Sequence, residues 1–312
     1  MGGGGGGRDG GLTGGGGGGA TGGGSAAGGG GGIDGGLSLS VGCWNLDWFA
    51  DPAQADGGYL GPADNALQAS NVLSVFRSKP DVDLWGIEEI VGVSEFSGVI
   101  SGLPGFAALV ATQVQSGTFY YSADEQKVAL IYRTSKVTVI SAQLILTTSN
   151  YDFAGRPPLE VHVRVAGNGV TRDLYVIVLH MKALADSFSY DRRVAAGASL
   201  KMYLETTRVA DNTLVIGDWN DDVDVSIVTP NPTPYANFVS DSARFKFPTK
   251  ELSDSNRRTT VSFSATIDHQ LFNAPVFSSY VVGSALVTQP AITNYRYTTT
   301  DHYPVTTRYV FR

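Results

Sequence analysis

Apolar residues recur along this chain in two rhythms, and each rhythm predicts an element. Leu37–Cys43 reads as a strand that stops at the polar Asn45. Residues 63–79 read as a helix: Ala69, Val72, Leu73 and Phe76 share one helical face, and Pro80 ends the pattern. Asp83–Glu89 reads as a second strand, and residues 94–102 as a short helix before the turn Leu103-Pro104-Gly105. Val128–Tyr132, Val137–Leu146, Leu159–Val165 and Leu174–His180 are rich in β-branched and aromatic residues and read as strands. A helix over 190–206 places Ala196, Leu200, Tyr203 and Leu204 together, and Leu214–Gly217 is a short strand. Val261–Phe272 and Val305–Phe311 are the last two expected strands. Strands dominate without a strict strand–helix alternation, which points to two packed sheets with helices outside rather than one doubly wound sheet.

Composition divides the chain. Residues 1–36 hold 24 of its 40 glycines. Such a segment cannot bury enough apolar surface to offset its ordering entropy, so a flexible tail is expected there and one domain over 37–312. The many GxGxxG matches in the tail carry no meaning, because no strand precedes them. No stretch is long and apolar enough for a membrane helix, and no signal peptide is visible. The glycine tract resembles the spacer of bacterial envelope lipoproteins, which implies secretion or the cell envelope; the other reading is a cytoplasmic protein with a loose tail. The net charge of -7 argues against a sequence-independent nucleic-acid coat protein. It does not exclude an enzyme that meets a few phosphates through a bound metal. Cys43 is the single cysteine, which excludes an intrachain disulfide, and its apolar neighbours mark it as a core thiol.

Polar residues gather where strands end: Asn45, Glu89, His180, Asp218 with Asn220, Asp268, and the pair Asp301-His302 before the last strand. Carboxylates, amides and imidazoles at so many apolar strand ends call for a shared cleft. Singly, each has a plainer reading as a turn or solvated residue. Gly217–Asp222 also begins like a calcium loop, but Val223 stands where that loop needs glycine and Thr229 where it needs glutamate.

Taken in order, the motifs resemble the endonuclease/exonuclease/phosphatase superfamily, the deoxyribonuclease I-like proteins. They are Trp44-Asn45, Ile87-Glu88-Glu89-Ile90, Tyr132-Arg133, Arg156-Pro157-Pro158, His180-Met181-Lys182, Gly217-Asp218-Trp219-Asn220, Ile267-Asp268-His269 and Thr300-Asp301-His302-Tyr303-Pro304. The resemblance spans residues 39–309. Glu88, Trp219 and Thr300 replace the family's Gln, Phe and Ser, and none of these changes removes a catalytic group. The resemblance implies an α+β fold: a four-layer α/β/β/α sandwich, with two mixed sheets flanked by helices. It implies a metal held by Glu89 and Asn45 with Asp301 close by. Asp218 would orient or deprotonate water, Asn220 and His180 would donate to the phosphate, and His302 would face it, held by Asp268. Tyr132 and Arg156 would contact the phosphate. Hard oxygen ligands and the lack of a Cys/His cluster suit magnesium or manganese rather than zinc.

The substrate implied by the resemblance is a nucleic acid cleaved with little sequence preference, by a monomeric enzyme. The alternatives are a phosphomonoesterase or a sphingomyelinase-like lipid phosphodiesterase, and, in a different class, an inactive binding module. The inositol-phosphatase branch is disfavoured, because its Trp-Cys-Asp-Arg signature is replaced by Ala265–His269.

Overall fold

The computed structural model describes residues 35–53, 61–114 and 120–312. Among these, twelve strands form two six-stranded sheets. The first sheet contains β1 (Leu37–Phe49), β2 (Leu84–Ile90), β3 (Phe106–Val110), β4 (Lys127–Arg133), β11 (Leu286–Val287) and β12 (Val305–Phe311). Their spatial order is β11-β12-β1-β2-β4-β3. The second contains β5 (Val137–Leu144), β6 (Leu159–Gly167), β7 (Val170–His180), β8 (Thr213–Asp218), β9 (Phe245–Lys246) and β10 (Asp268–Asn273), in the order β5-β6-β7-β8-β10-β9. Both sheets are mixed. β1 runs parallel to β2, and β7 parallel to β8; every other pairing is antiparallel.

Side-chain alternation explains the layers. Leu39, Val41 and Cys43 of β1 meet Val161 and Val163 of β6, Val176 and Val178 of β7, and Leu214 and Ile216 of β8 in a core between the sheets. The opposite face of the first sheet, with Trp44, Trp85 and Ile87, packs on helices α1 (Asn65–Arg77) and α2 (Val93–Ser101). The opposite face of the second, with Ile177, Leu179 and Val215, packs on Ala196, Leu200 and Leu204 of α3 (Ser187–Thr207). Central strands covered on both faces read as almost unbroken apolar runs, as β7 and β8 do. The result is the expected α/β/β/α sandwich.

Three departures from the sequence reading have physical causes. Val261–Phe272 is a strand only from Asp268. Before it, backbone donors go to side chains instead of a ladder: Phe263 N to Thr260 Oγ1, Thr266 N to Asp222 Oδ2, and Ile267 N to Thr259 Oγ1. β3 was not expected, because Phe-Ala-Ala-Leu-Val is too short for periodicity to separate strand from helix. The expected tail also ends earlier than residue 36. Gly36 is buried and its carbonyl accepts from Asn168 Nδ2 at 3.0 Å, so it belongs to the folded unit. The rest of the tail reading, residues 1–34, lies outside the described residues.

Candidate active site

The two parallel pairs deliver their C-terminal ends to one edge of the sandwich. Asn45 comes from β1, Glu89 from β2, His180 from β7 and Asp218 from β8. The antiparallel strands contribute from their starts. Asp268 opens β10 directly opposite Asp218, and His302 precedes β12. Asn45 Nδ2 donates to Glu89 Oε1 at 2.8 Å and to Asp218 Oδ2 at 2.9 Å, tying the two sheets together. Asp218 Oδ1 accepts from the Asn220 backbone at 2.8 Å, and its Oδ2 accepts from Asn220 Nδ2 at 3.0 Å. His180 Nε2 lies 3.6 Å from both Glu89 Oε1 and Asp218 Oδ2.

His302 and Asp268 are bonded across 34 positions: Nδ1 lies 3.0 and 2.9 Å from the two carboxylate oxygens. Nε2 lies 3.7 Å from Asp301 Oδ1 and 3.9 Å from Asp218 Oδ2, beyond hydrogen-bond reach of either carboxylate. Trp44 Nε1 and Tyr295 Oη donate to the His302 carbonyl and anchor its backbone.

Several of these residues sit in left-handed backbone. Asp47, Trp48 and Glu89 have φ of 50°, 51° and 63°, and Asn220 has 54°. Such geometry costs free energy and persists where surrounding structure dictates it. Here it turns Trp48 N onto Glu89 Oε2 at 3.0 Å and Asp47 N onto Asn45 Oδ1 at 2.9 Å. Gly217 has φ of 141°, and a Cβ there would sit 2.1 Å from the Leu179 carbonyl oxygen. Only glycine lets β7 and β8 close so tightly beside His180 and Asp218.

The electrostatics separate the titratable groups. Burial pushes Asp218 up to about 7, with Asp268 adding to the rise and His302 opposing it. Burial lowers the His180 imidazole well below its usual value, helped by Arg156, His302 and Lys182, so it is neutral. For His302 burial acts downward, but Asp268, Asp218 and Asp301 outweigh it and hold the ring protonated. Asp47 is raised to about 8 by burial, then by Asp301 and Glu89. Glu89 is raised by burial and by Asp301.

The donor set fits a hard divalent cation. Carboxylates are gathered at Asp47, Glu89 and Asp301; burial and the neighbouring negative charges oppose the ionisation of Asp47 and Glu89, and a cation there removes that penalty. Glu89, His180 and Asp218 also bring one ligand atom each within 4.8 Å of one another. Glu88 does not take part. It points between the sheets, fully buried, with both oxygens lacking a hydrogen-bond partner among the described residues, and burial raises it well above the usual glutamate range.

The structure brings together Asn45, Glu89, Arg156, His180, Asp218, Asn220, Asp268, Asp301 and His302. Tyr132 requires a correction. It lies on β4 opposite Leu84, the first residue of β2, whereas the site is at the far end of β2. Because β4 runs antiparallel, its beginning reaches the site. Gln126, just before it, donates through Nε2 to Glu89 Oε2 and accepts at Oε1 from Arg156 Nη1. Gln126 and Asp47 were missed by the sequence reading. Arg156 is completed by the Met181 carbonyl, which accepts from Nη2 at 3.0 Å and from Asn220 Nδ2 at 3.1 Å. His269 faces away, bonded through Nδ1 to Thr249 Oγ1 at 2.9 Å.

No protein-family model and no curated protein sequence matches the chain. Solved structures do. An endonuclease/exonuclease/phosphatase family protein from Bacteroides thetaiotaomicron is 17% identical, with 89% of this chain and 99% of that one covered and a TM-score of 0.57. TDP2 from D. rerio, complexed with single strand DNA product, is 14% identical, with coverage of 87% and 98% and a TM-score of 0.61. A mannosyl-6-phosphatase from Bacteroides thetaiotaomicron is 16% identical, with coverage of 88% and 100% and a TM-score of 0.55. At these identities the likeness establishes a common fold.

Proposed function

We propose that this chain, which has the endonuclease/exonuclease/phosphatase fold, is a divalent-metal-dependent phosphodiester hydrolase, a nuclease of low sequence specificity. The observation that carries this reading is the buried network Asn45–Glu89–Asp218–Asn220, facing His180 and the Asp268–His302 pair at one sandwich edge. Glu89 and Asn45 would hold the metal, with Asp301 and Asp47 beside them. When bound, magnesium or manganese neutralises charge on the phosphate and its leaving oxygen.

The remaining work falls to side chains. Asp218, held by three hydrogen bonds and raised to about 7, is suited to take a proton from the attacking water near neutral pH. Neutral His180 and the Asn220 amide offer donors to phosphate oxygens. The His302 imidazolium, oriented through Nδ1 by Asp268, keeps its Nε2–H for an oxygen whose charge grows in the transition state. Arg156 supplies fixed positive charge, its guanidinium anchored on Gln126 and the Met181 carbonyl.

The fold shared with a protein bound to a DNA product supports a nucleic-acid substrate. The same fold in a mannosyl-6-phosphatase supports a second reading, a phosphomonoesterase. A panel of plasmid DNA, single-stranded RNA, sphingomyelin, a sugar phosphate and an aryl phosphodiester, assayed with magnesium or manganese, separates them. Nucleic-acid cleavage should vanish with a chelator and in Glu89→Gln, and survive in Glu88→Gln. Hydrolysis of the sugar phosphate or sphingomyelin alone would overturn the nuclease assignment.

A further inference from the structure

Next to the site lies an exposed aromatic and cationic shelf that the chemistry above does not use. Tyr151 is 61% exposed, Phe188 57% and Leu184 64%. The two rings meet edge to face at 6.4 Å, and the Arg192 guanidinium lies 4.3 Å over the Tyr151 ring and 5.6 Å from that of Phe188. The shelf is joined to the site at both ends. Tyr151 and Arg156 share one turn, closed by Ala154 N to Tyr151 O and Arg156 N to Phe153 O, each at 3.0 Å. Leu184 lies three residues beyond Met181, whose carbonyl binds Arg156 and Asn220, a span of at most about 11 Å.

The loop carrying Leu184 is held rigidly. Leu184 has φ of 86°, a strained conformation for leucine. Arg193 donates to the carbonyls of Lys182 at 2.8 Å and Leu184 at 2.9 Å, and is itself locked in a fully buried ion pair with Asp221 at 2.8 Å. A strained, exposed leucine four residues before an exposed ring is costly unless something covers it. The local charge indicates what does. Lys182 is partly buried and feels the repulsion of Arg192 and Arg156; its acidic neighbour Asp186 is bonded to Ser189 through both oxygens. Cations interleaved with exposed π-faces suit a chain that alternates phosphates with flat bases.

We propose that Tyr151, Phe188 and Leu184, with Lys182 and Arg192, form a stacking subsite for the unpaired bases next to the scissile phosphate, so that the enzyme prefers single-stranded nucleic acid. This rests on the nuclease reading and specifies its substrate. Paired bases hide their faces within the duplex and cannot use the shelf.

The test measures binding without turnover. A fluorescently labelled single-stranded oligonucleotide, an abasic strand of equal length and a duplex are titrated with full-length protein in chelator at fixed salt, read by anisotropy. Wild type should prefer the base-bearing strand over the abasic one by roughly tenfold or more, the scale of a lost stacking contact, and should show no such preference for the duplex. Tyr151→Ala/Phe188→Ala should bind base-bearing and abasic strands alike, with abasic affinity and melting temperature unchanged. Phe188→Ala alone, at an exposed position, should show a partial loss and keeps the test open if the double variant is unstable. A wild type without base preference, a preference that survives in the variants, or tighter binding to duplex would overturn the proposal. So would wild type cosedimenting with sphingomyelin vesicles through these rings while ignoring the strand. The two readings fail separately. Preference without hydrolysis of any ester leaves the shelf and sinks the hydrolase. Nucleic-acid hydrolysis without base preference sinks the shelf alone.

Discussion

Replacing Asp268 by Asn keeps the shape of a fully buried side chain and removes its charge. The carboxylate accepts from His302 Nδ1 through both oxygens, at 3.0 and 2.9 Å. A hydrogen bond to a charged group contributes about 1.5–3 kcal/mol net, and the variant also loses the attraction that holds the imidazole protonated. Removing one preorganised donor from a developing oxyanion costs about 10²- to 10³-fold. Asp268→Asn and His302→Ala should therefore each lower kcat/KM by about 10²-fold or more on a phosphodiester with manganese. If the Asp268 contribution runs through its bond to His302, the double variant should be about as slow as His302→Ala, whereas independent roles would multiply to about 10⁴-fold. The pH profile gives a second readout. Burial lowers His302, but Asp268, Asp218 and Asp301 outweigh it, so the active imidazolium persists below a raised pKa. Losing the Asp268 charge lowers that pKa, and the alkaline limb should move to lower pH. With folding confirmed by circular dichroism, multiplicative losses or an unmoved limb would refute the coupled pair.

Two further outcomes follow from buried charge. Glu88 is raised by burial, then by Asp268 and Asp218, so its folded pKa exceeds its unfolded one. It destabilises the fold increasingly as pH rises from the ordinary glutamate pKa towards its own. The melting-temperature advantage of Glu88→Gln should thus be small in acid and grow with pH; parallel curves would show that Glu88 is not buried in its neutral form. Asp221→Ala leaves Arg193 buried and unpaired, which should cost about 3–5 kcal/mol in urea unfolding and speed amide exchange across residues 182–186. A loss below about 1 kcal/mol would mean that the pair is solvated.

What was legible in the sequence depends on how local the signal is. Val305–Phe311 was read with its observed bounds, and Leu159–Val165 and Leu214–Gly217 within one or two residues, because continuous β-branched runs leave little choice. The strand-end residues Asn45, Glu89, His180 and Asp218 stood out because a polar stop after an apolar run is visible one strand at a time. The match of Ile87-Glu88-Glu89-Ile90 to the family's motif selected Glu89 over Glu88, and the structure gives the reason: one glutamate faces the site and the other the space between the sheets. Gln126 and Asp47 carried no such mark. Gln126 precedes a strand, and its value depends on that strand running antiparallel to β2. The match of Tyr132-Arg133 to the family's motifs put Tyr132 in the expected site, although it sits at the other end of β4.

Strand direction also explains why the site forms where it does. Parallel strands leave their carboxyl ends side by side, and open sheets bind ligands outside those ends. This chain has one parallel pair in each sheet, β1/β2 and β7/β8, among antiparallel neighbours. Packing the sheets face to face sets the two pairs of carboxyl ends against each other, so four side chains distant in sequence meet without any long loop. The bond from Asn45 to Asp218, across 173 positions, is one direct contact of the two halves. Gly217 permits it by letting β8 approach β7 closer than any Cβ would allow. A Gly217→Ala change therefore acts on both levels at once. It strains the β7–β8 pairing, and it displaces His180 and Asp218 relative to Asn45 and Glu89, so activity should fall further than the loss of stability alone accounts for.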